Sequence, residues 1–171
     1  MSPQYLFKIV TVGAPAVGKT SLILRYTTGR FREYYAPTLG ADFAVKALKV
    51  DDDTVRLQIW DLGSQDFLGR VRAQYYLGSR AAIFVYDMTR RETLEQLRLW
   101  KQEVERHAGR VHSVVIGNKS DLASQREVSR EVGEELAHEF EADYLEVSVK
   151  LNENVDEVFK RVSEQLLENM V

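Results

Sequence analysis

The chain has no cysteine among its 171 residues. That absence excludes disulfides, thiolate metal sites, cysteine nucleophiles and prenyl or palmitoyl attachment within this sequence. No apolar run approaches the roughly 20 residues of a membrane-spanning helix. The opening MSPQYLFKIV lacks the basic-then-apolar layout of a secretion signal and leads into a strand-like run. Net charge is small: 23 Lys and Arg against 26 Asp and Glu leave −3, which gives no reason to expect a nucleic acid partner. Linkers, internal repeats and low-complexity tracts are also missing. What is there, 44% hydrophobic and 29% charged residues, is the profile of one soluble domain able to bury its own core. The expectation is a cytoplasmic monomer with no membrane anchor of its own. Peripheral membrane association would need a tail that QLLENMV (165–171) does not supply.

Apolar runs alternate with amphipathic ones. Residues 5–12, 42–50, 54–60, 81–88, 113–118 and 143–148 read as strands, the second and third joined by the polar turn DDD (51–53). Residues 19–29 read as a helix closed by Gly29. Helical spacing recurs in Leu94, Leu97, Trp100 and Val104, then in Val132, Leu136 and Phe140. A last helix carries Val155, Val158, Phe159, Val162 and Leu166, with Asn152 as its cap. The pattern predicts an α/β fold: a six-stranded, mostly parallel sheet with one antiparallel strand, and five helices covering both faces.

GAPAVGKT (13–20) lies between the first strand and the first helix and fits G-x-x-x-x-G-K-[ST] in the setting that motif requires. Backbone N–H groups of Gly13, Ala16, Val17, Gly18 and Lys19 can curl about phosphates, and the helix N-terminus, with Ser21 in its first turn, adds its dipole. Lys19 is a point charge for the terminal phosphates, and the Thr20 hydroxyl suits Mg²⁺. The motif implies a nucleoside triphosphate and Mg²⁺ and leaves the base open.

NKSD (118–121) follows the fifth strand, at the carboxyl end where open α/β sheets bind ligands. Guanine presents a ring N–H beside an exocyclic amine, and one carboxylate, Asp121, can accept from both. Adenine offers no such pair and would leave the carboxylate unsatisfied. Asn118 can support the loop, and the stem of Lys119 can lie along the base. SVK (148–150) ends the sixth strand. There the backbone of Ser148, Val149 and Lys150 can meet the guanine carbonyl.

With these motifs in place, the chain resembles a Ras-superfamily small GTPase over nearly its whole length, and within it the Rab group. YYAPTLGADF (34–43) is similar to switch I and RLQIWD (56–61) to the strand entering switch II; YYLGS (75–79) and FVYDMT (84–89) look Rab-like. The resemblance implies one G domain over 1–171, and GTP/GDP and Mg²⁺ as ligands. It implies slow GTP hydrolysis in trafficking-type regulation. It places Thr38 on Mg²⁺ and the γ-phosphate, Phe31 edge-on to guanine, Tyr35 at the nucleotide and Asp61 on the Mg²⁺ shell. Gln65 would orient the attacking water, making Gln65, Lys19 and Thr38 the catalytic set. Phe43, Trp60 and Tyr75 match the aromatic trio on which Rab proteins dock effectors, although the same residues could be core. An exchange factor and a GTPase-activating protein are further implied partners. Gly69, Arg70, Val71 and Arg72 are either partner contacts or solvated residues of switch II.

The chain departs from the family pattern at two places that bear on the chemistry. The family reads D-x-x-G-Q, whereas here Asp61 is followed by Leu62, Gly63 and Ser64. Ser64 keeps an N–H for the γ-phosphate, but a left-handed conformation there would cost about 1–2 kcal/mol. Pro15 has no N–H to offer the phosphates. Two functions therefore compete: a hydrolysing switch, and a GTP-binding scaffold whose hydrolysis Pro15 and Ser64 impair.

Overall fold

A computed structural model describes residues 4–31, 38, 40–65 and 68–170. In chain order the elements are β1 (Gln4–Val12), α1 (Lys19–Thr28), β2 (Ala41–Val50), β3 (Asp53–Leu62), α2 (Gly69–Tyr76), β4 (Ala81–Asp87) and α3 (Arg91–Glu95). Then follow α4 (Leu97–Ala108), β5 (His112–Asn118), a 3₁₀ turn (Ser120–Gln125), α5 (Arg130–Glu139), β6 (Asp143–Glu146) and α6 (Val155–Glu168).

The six strands form one sheet in the order β2-β3-β1-β4-β5-β6. Only the β2–β3 pair is antiparallel; the others are parallel. Central β4 is buried at every position, as a strand covered on both faces must be, while edge strand β2 is largely open. Side-chain alternation sorts the residues of β4: Ile83 and Val85 join one core with Leu22 and Phe159, and Phe84 and Tyr86 join the other with Leu97 and Leu136. The predicted α/β architecture is thus present. The parallel strands deliver the loops after β1, β4, β5 and β6 to one edge of the sheet, and the site lies there.

Three local details differ from the sequence reading. The helical run after β4 divides at Gln96, which makes six α-helices rather than five among the described residues. The Gln96 carbonyl accepts from Leu99 N–H (3.0 Å) as well as Trp100 N–H (3.3 Å), a local tightening of the turn. Asn152 does not cap α6. Ser148 and Glu153 pair as an isolated bridge, so the chain must close that turn before a helix can start. The residue before α6 is Asn154, left-handed at φ 61° and without a side-chain cap bond. Its amide donates instead to the Glu146 carbonyl at 2.9 Å. The same bridge explains why β6 stops at Glu146 rather than residue 148.

Candidate functional site

The phosphate loop joins β1 to α1 and has no room for side chains at its two outer glycines. A Cβ on Gly13 would lie 2.3 Å from the Val85 carbonyl oxygen, and one on Gly18 2.3 Å from Asn118 Nδ2. Gly18 has φ 107°, and Ala16 is held left-handed at φ 63°. Lys19 is only 7% exposed, and its Nζ donates to the carbonyls of Gly13 (2.9 Å) and Ala14 (2.8 Å). Burial lowers its pKa to about 8; Asp61 opposes the shift, and Arg72 and Arg90 reinforce it. A cation held by backbone carbonyls, with no carboxylate paired to it among the described residues, is suited to an anion.

This gives a pH prediction. Phosphates in the loop would return Lys19 toward its ordinary range, so binding takes up a proton once the free protein has lost one above about pH 8. Affinity for a nucleoside di- or triphosphate is expected to be about tenfold weaker at pH 9 than at pH 7. Fluorescent-nucleotide titrations across that range check it, and a flat profile would contradict it.

Beside the loop, three side chains converge. Thr20 Oγ1 donates to Asp61 Oδ2 at 2.5 Å, Thr38 Oγ1 donates to the same oxygen at 3.0 Å, and the two hydroxyls are 2.8 Å apart. Asp61 is buried at the end of β3, and its Oδ1 has no hydrogen-bond partner among the described residues. One carboxylate with an orphaned buried oxygen and two hydroxyls are hard donors. They fit Mg²⁺, which is held by one or two carboxylates and completes its shell with water and phosphate.

After β5, Asn118 staples two loops together. Its Nδ2 donates to Val17 O at 2.9 Å, and its Oδ1 accepts from Val149 N–H at 3.2 Å. Asp121 Oδ1 accepts from Ser148 Oγ at 2.8 Å, which fixes the carboxylate. The N–H of Ser148 is taken by Glu153 O at 3.2 Å, so, like that of Val149, it is already engaged within the fold. Arg25 braces the same loop from below, donating to Val149 O (3.0 Å) and Lys150 O (2.7 Å). Phe31 packs partly buried against the core, with the Arg25 guanidinium 5.5 Å from its ring centre. Tyr35 lies outside the described residues.

Sequence reasoning missed Asp87, at the end of β4. It is 1% exposed and pairs with Lys119 Nζ at 2.9 Å and Arg90 Nε at 3.2 Å. Burial would raise its pKa, but hydrogen bonds from Thr89 and Lys119 outweigh that and hold it below the usual carboxylate range. The available signal was its strand-end position in FVYDMT.

Switch II brings the largest correction. Arg72 is neither a partner contact nor a solvated residue: it is 5% exposed. Its Nη1 donates to Gly63 O (2.9 Å) and Gln65 O (2.7 Å), and its Nε and Nη2 form a fork on Glu103 of α4, both at 2.9 Å. Tyr76 donates to the same carboxylate. Nothing local in the sequence announces a partner 31 residues away. The tight position is Gly63: a Cβ there would meet Thr38 O at 2.4 Å and Leu68 Cδ1 at 2.6 Å. Ser64 is buried and is absent from the left-handed residues, so the expected strain does not arise in this conformation. Gln65 Oε1 is buried, has no hydrogen-bond partner among the described residues and lies over the same face of Gly63.

The aromatic trio forms a continuous row of tilted rings at the surface, its inner two members resting on the core. Phe43 is 50% exposed, its ring centre 4.7 Å from Trp60, and Trp60 is 5.0 Å from Tyr75. Trp60 and Tyr75 are half-buried and rest on the core beneath.

The glycine-rich loop, the hydroxyl–carboxylate cluster and the loop that carries Asp121 therefore share one edge of the sheet. The model of the Ras family matches residues 8–168. The chain belongs to the Ras family of GTP-binding switch proteins.

Proposed function

We propose that the protein is a Rab-like switch that binds GTP, hydrolyses it slowly and presents its switch segments to effectors. The observation that carries this reading is the meeting of Thr20, Thr38 and Asp61, from three separate segments, beside Lys19. Mg²⁺, when bound, neutralises phosphate charge; Thr20, Thr38 and Asp61 are the residues to hold it. Lys19 binds the terminal phosphates. Asp121 reads the base, with Asn118 holding the two loops in register. Thr38 and Ser64 would both contact the γ-phosphate when it is bound, so its loss would release both segments. Gln65 orients the attacking water, and Arg72 steadies its backbone carbonyl. Phe43, Trp60 and Tyr75 offer effectors a rigid, half-exposed aromatic face. The Rab-like assignment and the trafficking role rest on the resemblance of the switch stretches.

The absence of left-handed strain at Ser64 weakens one of the two reasons for a hydrolysis-impaired scaffold. Single-turnover hydrolysis is expected on the order of 10⁻⁴ s⁻¹ without an arginine supplied in trans. No turnover above buffer over a day, with or without activating protein, would leave the scaffold. Within that assay, Gly63→Ala is expected to slow hydrolysis about tenfold or more, because the methyl must displace Thr38, Leu68 or both. Ser64→Gly is expected to stay within about threefold of the parent. The reverse ranking would return the hinge to Ser64.

A further inference from the structure

Pro15 is the one phosphate-loop residue that can donate no N–H, yet its carbonyl is engaged. Arg90 Nη2 donates to Pro15 O at 2.9 Å, across 75 residues of sequence. The arginine is itself held. Its backbone N–H bonds Asp87 O at 2.9 Å, and its carbonyl accepts from Thr93 N–H (3.0 Å) and Thr93 Oγ1 (2.7 Å). Its Nε bonds buried Asp87 Oδ2 at 3.2 Å. The guanidinium therefore bridges a fixed carboxylate and the loop.

A trans peptide is planar, and its C=O and the following N–H point to opposite sides. No peptide bond in the described chain is cis. Drawing the Pro15 carbonyl toward Arg90 turns the Ala16 N–H the other way, and Ala16 is held in the left-handed conformation that this arrangement uses. The charge of Arg90 also reaches Lys19, which places the guanidinium within the field of the phosphate site.

We propose that Arg90 is a positioning residue for the phosphate loop: by fixing the Pro15–Ala16 peptide it aims the Ala16 N–H at the phosphates and makes up for the donor that Pro15 lacks. The proposal rests on the guanine-nucleotide reading above. Its consequence is a chain-borne brace, coupled through Asp87 to Lys119, so that base loop and phosphate loop share one buried carboxylate.

The test is GDP release from the purified protein, followed with a fluorescent GDP, in the parent, Arg90→Ala, Arg90→Lys, Pro15→Gly and the Pro15→Gly/Arg90→Ala double variant. Arg90→Ala should release GDP about tenfold faster. Arg90→Lys keeps the charge beside Asp87 but cannot hold Asp87 and Pro15 together, and should fall between Arg90→Ala and the parent. In the Pro15→Gly background, which returns an N–H, removing Arg90 should change release less than about threefold. A merely structural role would give the same factor in both backgrounds, and that result overturns the proposal. So does parent-like release from both Arg90 variants. Binding to the parent tests the other reading separately: if GDP does not bind the parent, the nucleotide assignment falls, whereas equal release from parent and variants refutes Arg90 alone.

Discussion

Replacing Asp121 with asparagine is expected to weaken GDP and GTP binding by roughly a thousandfold while leaving the fold intact. Two charge-assisted hydrogen bonds to guanine would be lost, each worth about 1.5–3 kcal/mol. The new amide group can also turn a donor toward two donors of the base. Together these come to about 3–6 kcal/mol, or roughly 10²–10⁴ in affinity. The substitution is nearly isosteric, and the asparagine oxygen can still accept from Ser148 Oγ, the bond that fixes Asp121 in the parent. Fluorescent-nucleotide titration of parent and variant, with circular dichroism as the fold control, measures the effect. Unchanged GTP affinity would mean that the phosphate loop binds nucleotides without reading guanine.

Lys19→Met should cost as much at the other end of the nucleotide. The ammonium is buried and, among the described residues, bonded to the carbonyls of Gly13 and Ala14. A desolvated charge pair loses about 2–5 kcal/mol when one partner is truncated, roughly 30- to several-thousandfold in affinity. Methionine retains the apolar stem that packs in the loop, so the loss falls on phosphate binding. The two variants should differ in kind. Lys19→Met should weaken every phosphate-bearing nucleotide, whereas Asp121→Asn should weaken guanine nucleotides in particular. Competition with ATP separates the two patterns.

Much of this architecture was legible because its signals are local. The continuous apolar runs of β4 and β5 announce strands covered on both faces, and GAPAVGKT carries its own strand–loop–helix context. Lys19, Thr20, Asn118 and Asp121 could be placed because their motifs fix both their identity and their spacing. What stayed hidden depends on contacts distant in sequence. Arg72 looked like a surface residue of a polar helix until α4 brought Glu103 to it. Asp87 ends an apolar strand, and only the fold shows that it ties Lys119 to Arg90. The Asn152 cap failed because the Ser148–Glu153 bridge, invisible to periodicity, delays the helix. The transposed glycine of switch II was visible as a departure. Its reason was not, because the crowding at Gly63 comes from Thr38 and Leu68, which the fold brings against the place a side chain would take.

The central claim is that this edge of the sheet binds a guanine nucleotide and hydrolyses it. Mass spectrometry of the nucleotide retained through purification tests both halves at once. The account predicts GDP, close to one per chain. Intact GTP would contradict hydrolysis and leave the scaffold reading, and an adenine nucleotide would contradict the assignment of Asp121 and the account built on it.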